Sequence, residues 1–376
     1  MKRICLYLVV IMVGCIEPYF PSELKSNEPI LIVEGFLNTN GDSKIILARS
    51  RSIIDSSQPA FETGATVWIE DENGNTTTLT NTWNGNYILE NISLTAPKYR
   101  LRITTPDQQQ YASEFVPVLN APEIDSVTWR ATNNEKIEVL VSTHGEPTSS
   151  PYYQWTFEET WEYRSYLNSQ YFFDTNSKSV IYSNQNNYTC WRSGLSSKIN
   201  IESTNRFNQN RVSNLPLTSF GWNDERTTVK YSILVKQYSL TKDAFTYWQQ
   251  LKQSNEDIGS IFGPLPSELK GNLKNLEDET KPIVGFFSIG NATQKRIFIP
   301  NSAFPPPSTF RITPYRECTY DTLFLSNIPE FSGPPSYLLG GELYDGDRLI
   351  GYSYSVAFCV DCRMSGGTNS KPSYWQ

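Results

Sequence analysis

The chain has 376 residues, 32 basic against 39 acidic side chains and a formal net charge of −7. That balance excludes a nucleic-acid binder, which needs clustered cations to meet phosphates, while the length is enough for two domains. With 22 Tyr, 19 Phe and 9 Trp, frequent turn residues and little helical periodicity, the composition predicts a mainly β, exported protein.

The first elements are targeting signals. Met1-Lys2-Arg3 is a basic start, the stretch from Ile4 to Val13 is largely apolar, and Gly14 is a small residue at a cleavage position. Residues 1–14 therefore read as a secretory signal, too short to cross a bilayer, which takes roughly 20 apolar residues. Cys15 follows Gly14 directly, the pattern of bacterial lipoprotein signals, in which the thiol is diacylated and becomes the new N-terminus. Multiple acyl chains anchor stably where one is marginal. Residues 15–27, with Pro18 and Pro21, read as an extended tether.

Residues 28–119 predict an N-terminal immunoglobulin-like or transthyretin-like sandwich. Ile30–Leu37 is apolar, Ala65–Glu70 and Tyr99–Thr104 alternate, and Asn40-Gly41, Asn73-Gly74 and Asn84-Gly85 supply turn signals. In a two-residue hairpin both central residues take positive φ, which Asn-Gly tolerates. Asn120-Ala121-Pro122-Glu123 reads as the link to a larger β-rich domain, 120–376.

That second domain holds the strand Tyr152–Tyr163. Its odd positions are Tyr153, Trp155, Phe157, Glu159, Trp161 and Tyr163; its even positions from Gln154 on are polar. The alternation predicts a core strand under a sandwich. The competing reading makes the same face a stacking platform, with Trp155, Glu159, Trp161 and Tyr163 as ligand-binding residues and Glu159 marking where the strand outruns the core. Further on, Thr228–Tyr238 reads as a strand. Thr241 reads as the N-cap of the one helix, with Phe245, Trp248 and Leu251 on its apolar face. Gly259–Lys281 reads as a loop, Ile283–Ile289 and Arg296–Ile299 as strands, and Asp345-Gly346 as a late hairpin turn.

Of the six cysteines, Cys5 leaves with the signal and Cys15 carries lipid. Cys190, Cys318, Cys359 and Cys362 remain, an even number that in an exported chain points to disulfides. Ser353–Cys362 reads as a strand, on which residues three apart face opposite ways. The expectation is that Cys190 and Cys318 each take one of the terminal pair. A zinc site would need two close-spaced pairs.

Catalytic signals are weak. One histidine, His144, cannot make the His-pair sites typical of catalytic zinc and reads as a surface-loop residue. Gly351–Ser355 lacks the second glycine of a nucleophile elbow. Glu158 and Glu162 stand four strand residues apart, roughly 13 Å, against the 5–9.5 Å or so of paired glycosidase carboxylates. Asp71–Asn75 lacks the glycine and closing glutamate of a calcium loop. No cofactor is expected.

Several features occur together in one family: Cys15-Ile16-Glu17-Pro18-Tyr19, Leu31–Gly35, Tyr153–Trp161, Ala244–Lys252, Lys295–Ile299, and Cys359–Arg363 followed by Gly366–Trp375. Over nearly the whole chain they resemble the domain of unknown function 4249 family of Bacteroidota lipoproteins. The resemblance implies an outer-membrane lipoprotein, facing the surface or the periplasm, that works with a TonB-dependent transporter; it carries over no catalytic residues. The expected role is binding, of a nutrient such as a glycan or peptide or of the transporter itself, without chemistry. An assembly subunit and a glycan or peptide hydrolase are the alternatives.

Overall fold

The structure, a computed structural model, describes residues 29–51, 60–90, 94–174, 176–182, 186–256, 269–305, 315–330 and 337–376. The signal 1–14, Cys15 and the tether 15–27 lie outside the described residues, as does the part of the expected loop at 257–268.

The first body is a sandwich of two sheets. In one, Leu31–Asn38 pairs with Ser43–Arg49, which continues to Asn86–Leu89. In the other, Lys98–Thr104 lies between Thr66–Asp71 and Gln110–Ser113. Period-two alternation drives both: Leu31, Val33, Ile45 and Leu47 from the first sheet meet Val67, Ile69, Leu101 and Ile103 from the second in one core.

The boundary expected at residue 120 is crossed by strands that return from far down the chain. Leu273–Asn275 pairs with Gln110–Ser113, while Ile283–Gly285 and Ser288–Asn291 run parallel to Leu31–Asn38. Segment 273–291, assigned by sequence to the second domain, thus completes both sheets of the first body. Without it Leu31–Asn38 would present an open edge, with a row of unpaired backbone groups.

The turns also differ from the two-residue hairpins expected. Thr66–Asp71 and Thr76–Thr78 are joined by residues 72–75, and of Asn73-Gly74 only Gly74 takes positive φ, +87°. The Asp71 carboxylate closes this loop by accepting from the Asn73 and Asn75 backbone N–H groups, both at 2.9 Å. The Asn75 side-chain amide, and then those backbone bonds, hold the Asp71 carboxyl below its ordinary value. An Asx turn has replaced the mirror-image turn.

The second body pairs a three-stranded sheet, Ile124–Thr132, Lys136–His144 and Arg211–Gly221, with a sheet ordered Thr189–Leu195, Tyr152–Arg164, Lys230–Ser239, Thr293–Pro300. Numbered along the chain, strands 1-2-5 face strands 4-3-6-7, an immunoglobulin-like sandwich. Val139 and Val141 from the first sheet pack on Trp155, Tyr231 and Ile233 from the second.

A third sheet joins two distant stretches. Ser179–Tyr182 and Tyr171–Asp174 pair edge to edge with the hairpin Tyr337–Asp345/Arg348–Val356, and Asp321–Phe324 closes the far side. The hairpin turns at Gly346, φ +60°, as its Asp-Gly signal predicts.

The helix Lys242–Glu256 starts where expected: Thr241 Oγ1 accepts from the Ala244 N–H at 3.1 Å. It is the only long helix among the described residues. Ala244 and Tyr247 pack on Phe286 and Leu240, at the junction of the first two bodies. The link itself is tied down there. Buried Gln237 accepts from Trp155 Nε1 at 2.8 Å and donates to the Pro122 carbonyl at 2.7 Å.

Candidate functional site

The four residues proposed as a stacking platform are inside the second sandwich. Trp155 and Tyr163 are fully buried, and Trp161 and Glu159 are each 9% exposed. The core reading of the alternation therefore holds, and this face is buried and presents no stacking platform. Glu159 corrects a second expectation: the strand does not outrun the core there, because the core contains the partner of the carboxylate. Arg226 Nη1 donates to both Glu159 oxygens, at 3.1 and 3.2 Å, and Tyr231 donates its hydroxyl to Oε2 at 2.8 Å. Asp224 holds the same guanidinium from the other side, Nε to Oδ1 at 3.0 Å. Next to this pair, Trp161 Nε1 donates to Glu225 Oε2 at 2.7 Å, and Arg192 lies 3.0 Å from the same oxygen. Burial pushes the Glu225 carboxyl above its ordinary value. Burial, and then Glu159, pushes the Tyr231 hydroxyl well above its own. The Arg192 and Arg226 guanidinium groups both lie over the Trp161 ring, at 5.9 and 5.6 Å. The cluster ties Tyr152–Arg164 to residues 224–226 through Glu159 and Trp161.

The cysteines pair as expected, Cys190 with Cys362 and Cys318 with Cys359. The local structure differs. The strand ends at Val356, and Ala357–Val360 forms a single helical turn carrying Cys359. A tight turn over 362–365 follows, with the Asp361 carboxylate accepting from the Arg363 N–H at 2.9 Å. From Gly366 the tail runs back over the polar face of Tyr152–Arg164. Thr368 and Trp191 exchange both backbone hydrogen bonds, Trp375 Nε1 donates to Glu162 at 3.0 Å, and Tyr374 shares a 2.8 Å hydrogen bond with Thr160. Of the two even-face carboxylates, Glu162 is engaged by this tail and Glu158 by Lys236 at 2.5 Å.

Two exposed features remain. One is a cleft of ≈ 480 Å³ at the end of the second sandwich, between loops 145–151 and 204–210. His144 and Arg211 flank it, directly paired on adjacent strands, and the His144 Nδ1 lies 2.7 Å from Asp125 Oδ1. Asn210 fixes the walls. Its Oδ1 accepts from Tyr153 at 2.8 Å and Thr204 at 2.7 Å, while its Nδ2 donates to the Glu146 and Ser150 carbonyls, both at 3.3 Å. Gly145 is required at this joint, since a Cβ there would lie 2.6 Å from the Tyr153 hydroxyl. Asn210→Ala should cost about 2–3 kcal/mol, because it strands the buried Tyr153 hydroxyl and frees both loops; urea unfolding monitored by tryptophan fluorescence measures it.

The other feature is a tyrosine cluster on the third sheet, in which Tyr344 is exposed while Tyr352 is buried against Tyr171 and Leu323. Glu342 accepts from Tyr171 and from Tyr344, each at 2.7 Å. The Tyr171 hydroxyl is pushed up to about 12 by that bond. Tyr352 packs against Tyr171 at 5.1 Å between ring centroids. Sequence reasoning passed over this cluster. Its signal was the alternation in Gly351–Ser355, which puts Tyr352 and Tyr354 on one side.

Residues 16–296 match the family described as Domain of unknown function (DUF4249), and the chain belongs to that family. No curated protein matches it. Among solved structures, it is similar to a segment of two fibronectin type III domains from chicken tenascin, at 8% identity over 57% of this chain and 93% of that one, with a TM-score of 0.17. It is also similar to chicken CNTN1 FN1–FN3 domains, at 14% identity over 56% and 62% of the two chains and a TM-score of 0.18. A cytokine receptor complex shares 10% identity over 55% and 90%, with a TM-score of 0.18.

Proposed function

We propose that this member of the DUF4249 family is a lipid-anchored outer-membrane protein that binds, without chemistry, as an accessory to a TonB-dependent transporter. The observation that carries the reading is the pair of disulfides, Cys190–Cys362 and Cys318–Cys359, which suits an oxidising compartment outside the cytoplasm. Cys15 after a short apolar signal supplies the anchor in this reading. Binding rather than turnover is supported by the fate of the conspicuous carboxylates: Glu158, Glu159 and Glu162 are all taken up in internal contacts. The surface left for a partner includes Phe172, Tyr182 and Tyr344 of the third sheet, all exposed.

The test is affinity capture in mild detergent from the native membrane, with the tag at the C-terminus. A TonB-dependent transporter should co-purify in stoichiometric amount, and Cys15→Ser should abolish membrane attachment. Recovery of a monomer without a transporter sinks the reading. Capture that survives replacement of all three exposed aromatics points instead to the assembly-subunit reading.

A further inference from the structure

We infer that the cleft between loops 145–151 and 204–210 binds the end of an acidic oligosaccharide, a pyranose carrying a carboxylate. The inference rests on the reading of the chain as a binding protein and names the ligand class.

The volume, ≈ 480 Å³, lies within the range of roughly 300–1,000 Å³ for small-ligand sites. The walls are formed before any ligand arrives, because Asn210 ties the two loops to each other and to Tyr153. Loops held this way lose little entropy on binding.

The chemistry of the lining is specific. Phe207 is 67% exposed and stands on the loop between this cleft and an adjoining hollow of ≈ 550 Å³. An aromatic face left in water offers a stacking surface to the C–H face of a sugar ring. Around it, the side chains of Asn205, Asn208 and Gln209 make no hydrogen bond within the protein among the described residues. Each amide carries a donor and an acceptor in one plane, the pattern that neighbouring sugar hydroxyls answer.

The acid comes from Arg211. Its side chain is exposed and makes no ion pair among the described residues, and it borders both hollows. A free planar fork of donors matches a carboxylate through two parallel bonds. His144 stands opposite it, with its ring held through Nδ1 by Asp125. Among the described residues no carboxylate lines the cleft itself; Glu202 lines the adjoining hollow. An acidic unit therefore fits the Arg211 and His144 side, and the next unit continues past Phe207.

Saturation-transfer NMR on the full chain in detergent tests this, with trisaccharides of glucuronate and galacturonate, their methyl esters and a tri-aspartate peptide as probes. The uronate trisaccharides should receive saturation on their ring C–H protons and bind tenfold or more tighter than the uncharged esters. Arg211→Gln should remove that preference and leave ester binding in place, whereas Phe207→Ala should remove binding of both. Both residues are exposed, and circular dichroism checks that the variants fold. Equal binding of acid and ester, equal binding of the peptide, an Arg211→Gln variant that keeps the preference, or no saturation of any probe overturns the inference. No transporter is present in this measurement, so a negative result leaves the capture experiment to be judged by itself.

Discussion

Replacing Cys190 and Cys362 together by alanine should lower the unfolding free energy by about 5 kcal/mol. The bridge spans 172 residues, and loop-closure entropy grows with the logarithm of the loop: for a ring of this length it comes to about 5 kcal/mol. The second bridge, with a separation of 41 residues, bypasses part of the ring when left intact, but the cost varies only with the logarithm of length, so the estimate stands. On the folded side the same bridge puts Cys362 under the central strand, where its carbonyl accepts from the Tyr163 hydroxyl at 2.6 Å. Losing it should loosen the whole tail, including the Trp375 contact with Glu162 and Phe298. Guanidinium unfolding of the double variant under non-reducing conditions reads the cost. A loss below about 1 kcal/mol would mean that the tail is held without the covalent bond.

Arg226→Met should cost about 3 kcal/mol. The substitution removes the cation that meets Glu159 and leaves a carboxylate, 11% accessible, with only the Tyr231 hydroxyl for company. The figure sits at the low end for a broken buried pair because the Arg226 side chain is itself 23% accessible. The informative comparison is a second change: Glu159→Gln in the Arg226→Met background should recover most of the loss, since no unpaired charge then remains buried. Denaturation of the wild type, the two single variants and the double variant closes the cycle. If the single Arg226→Met variant is as stable as the wild type, water reaches Glu159 and the site is not a buried pair.

Legibility in the sequence followed the range of the physics. Period-two alternation is local, and it identified the Tyr153–Tyr163 face as core. Capping is local too, and Thr241 starts the long helix. Glu159 was misjudged because an inward carboxylate makes sense only with Arg226, a partner 67 residues away. The terminal cysteines show how short runs mislead. Ser353–Cys362 alternates like a strand, but Asp361 binds the Arg363 backbone and favours a tight turn instead. The expected pairing nonetheless occurs, although the strand geometry it was argued from ends at Val356; the even count of cysteines is the part of that argument that holds. The cleft gave no periodic signal. It is assembled from two loop ends by Asn210, a residue whose role appears only when Tyr153, Thr204 and the Glu146 carbonyl are seen to converge on it.

Segment 273–291 carries a consequence for synthesis. Phe36 pairs with Ser288, so a ribosome must add 252 residues after Phe36 (288 − 36) before that edge can close. The first module to emerge therefore stays unsealed while most of the second sandwich is made. Contacts this distant in sequence form slowly, and until they form the early strand is open to stray pairing. In this order of assembly the beginning of the chain waits for its middle.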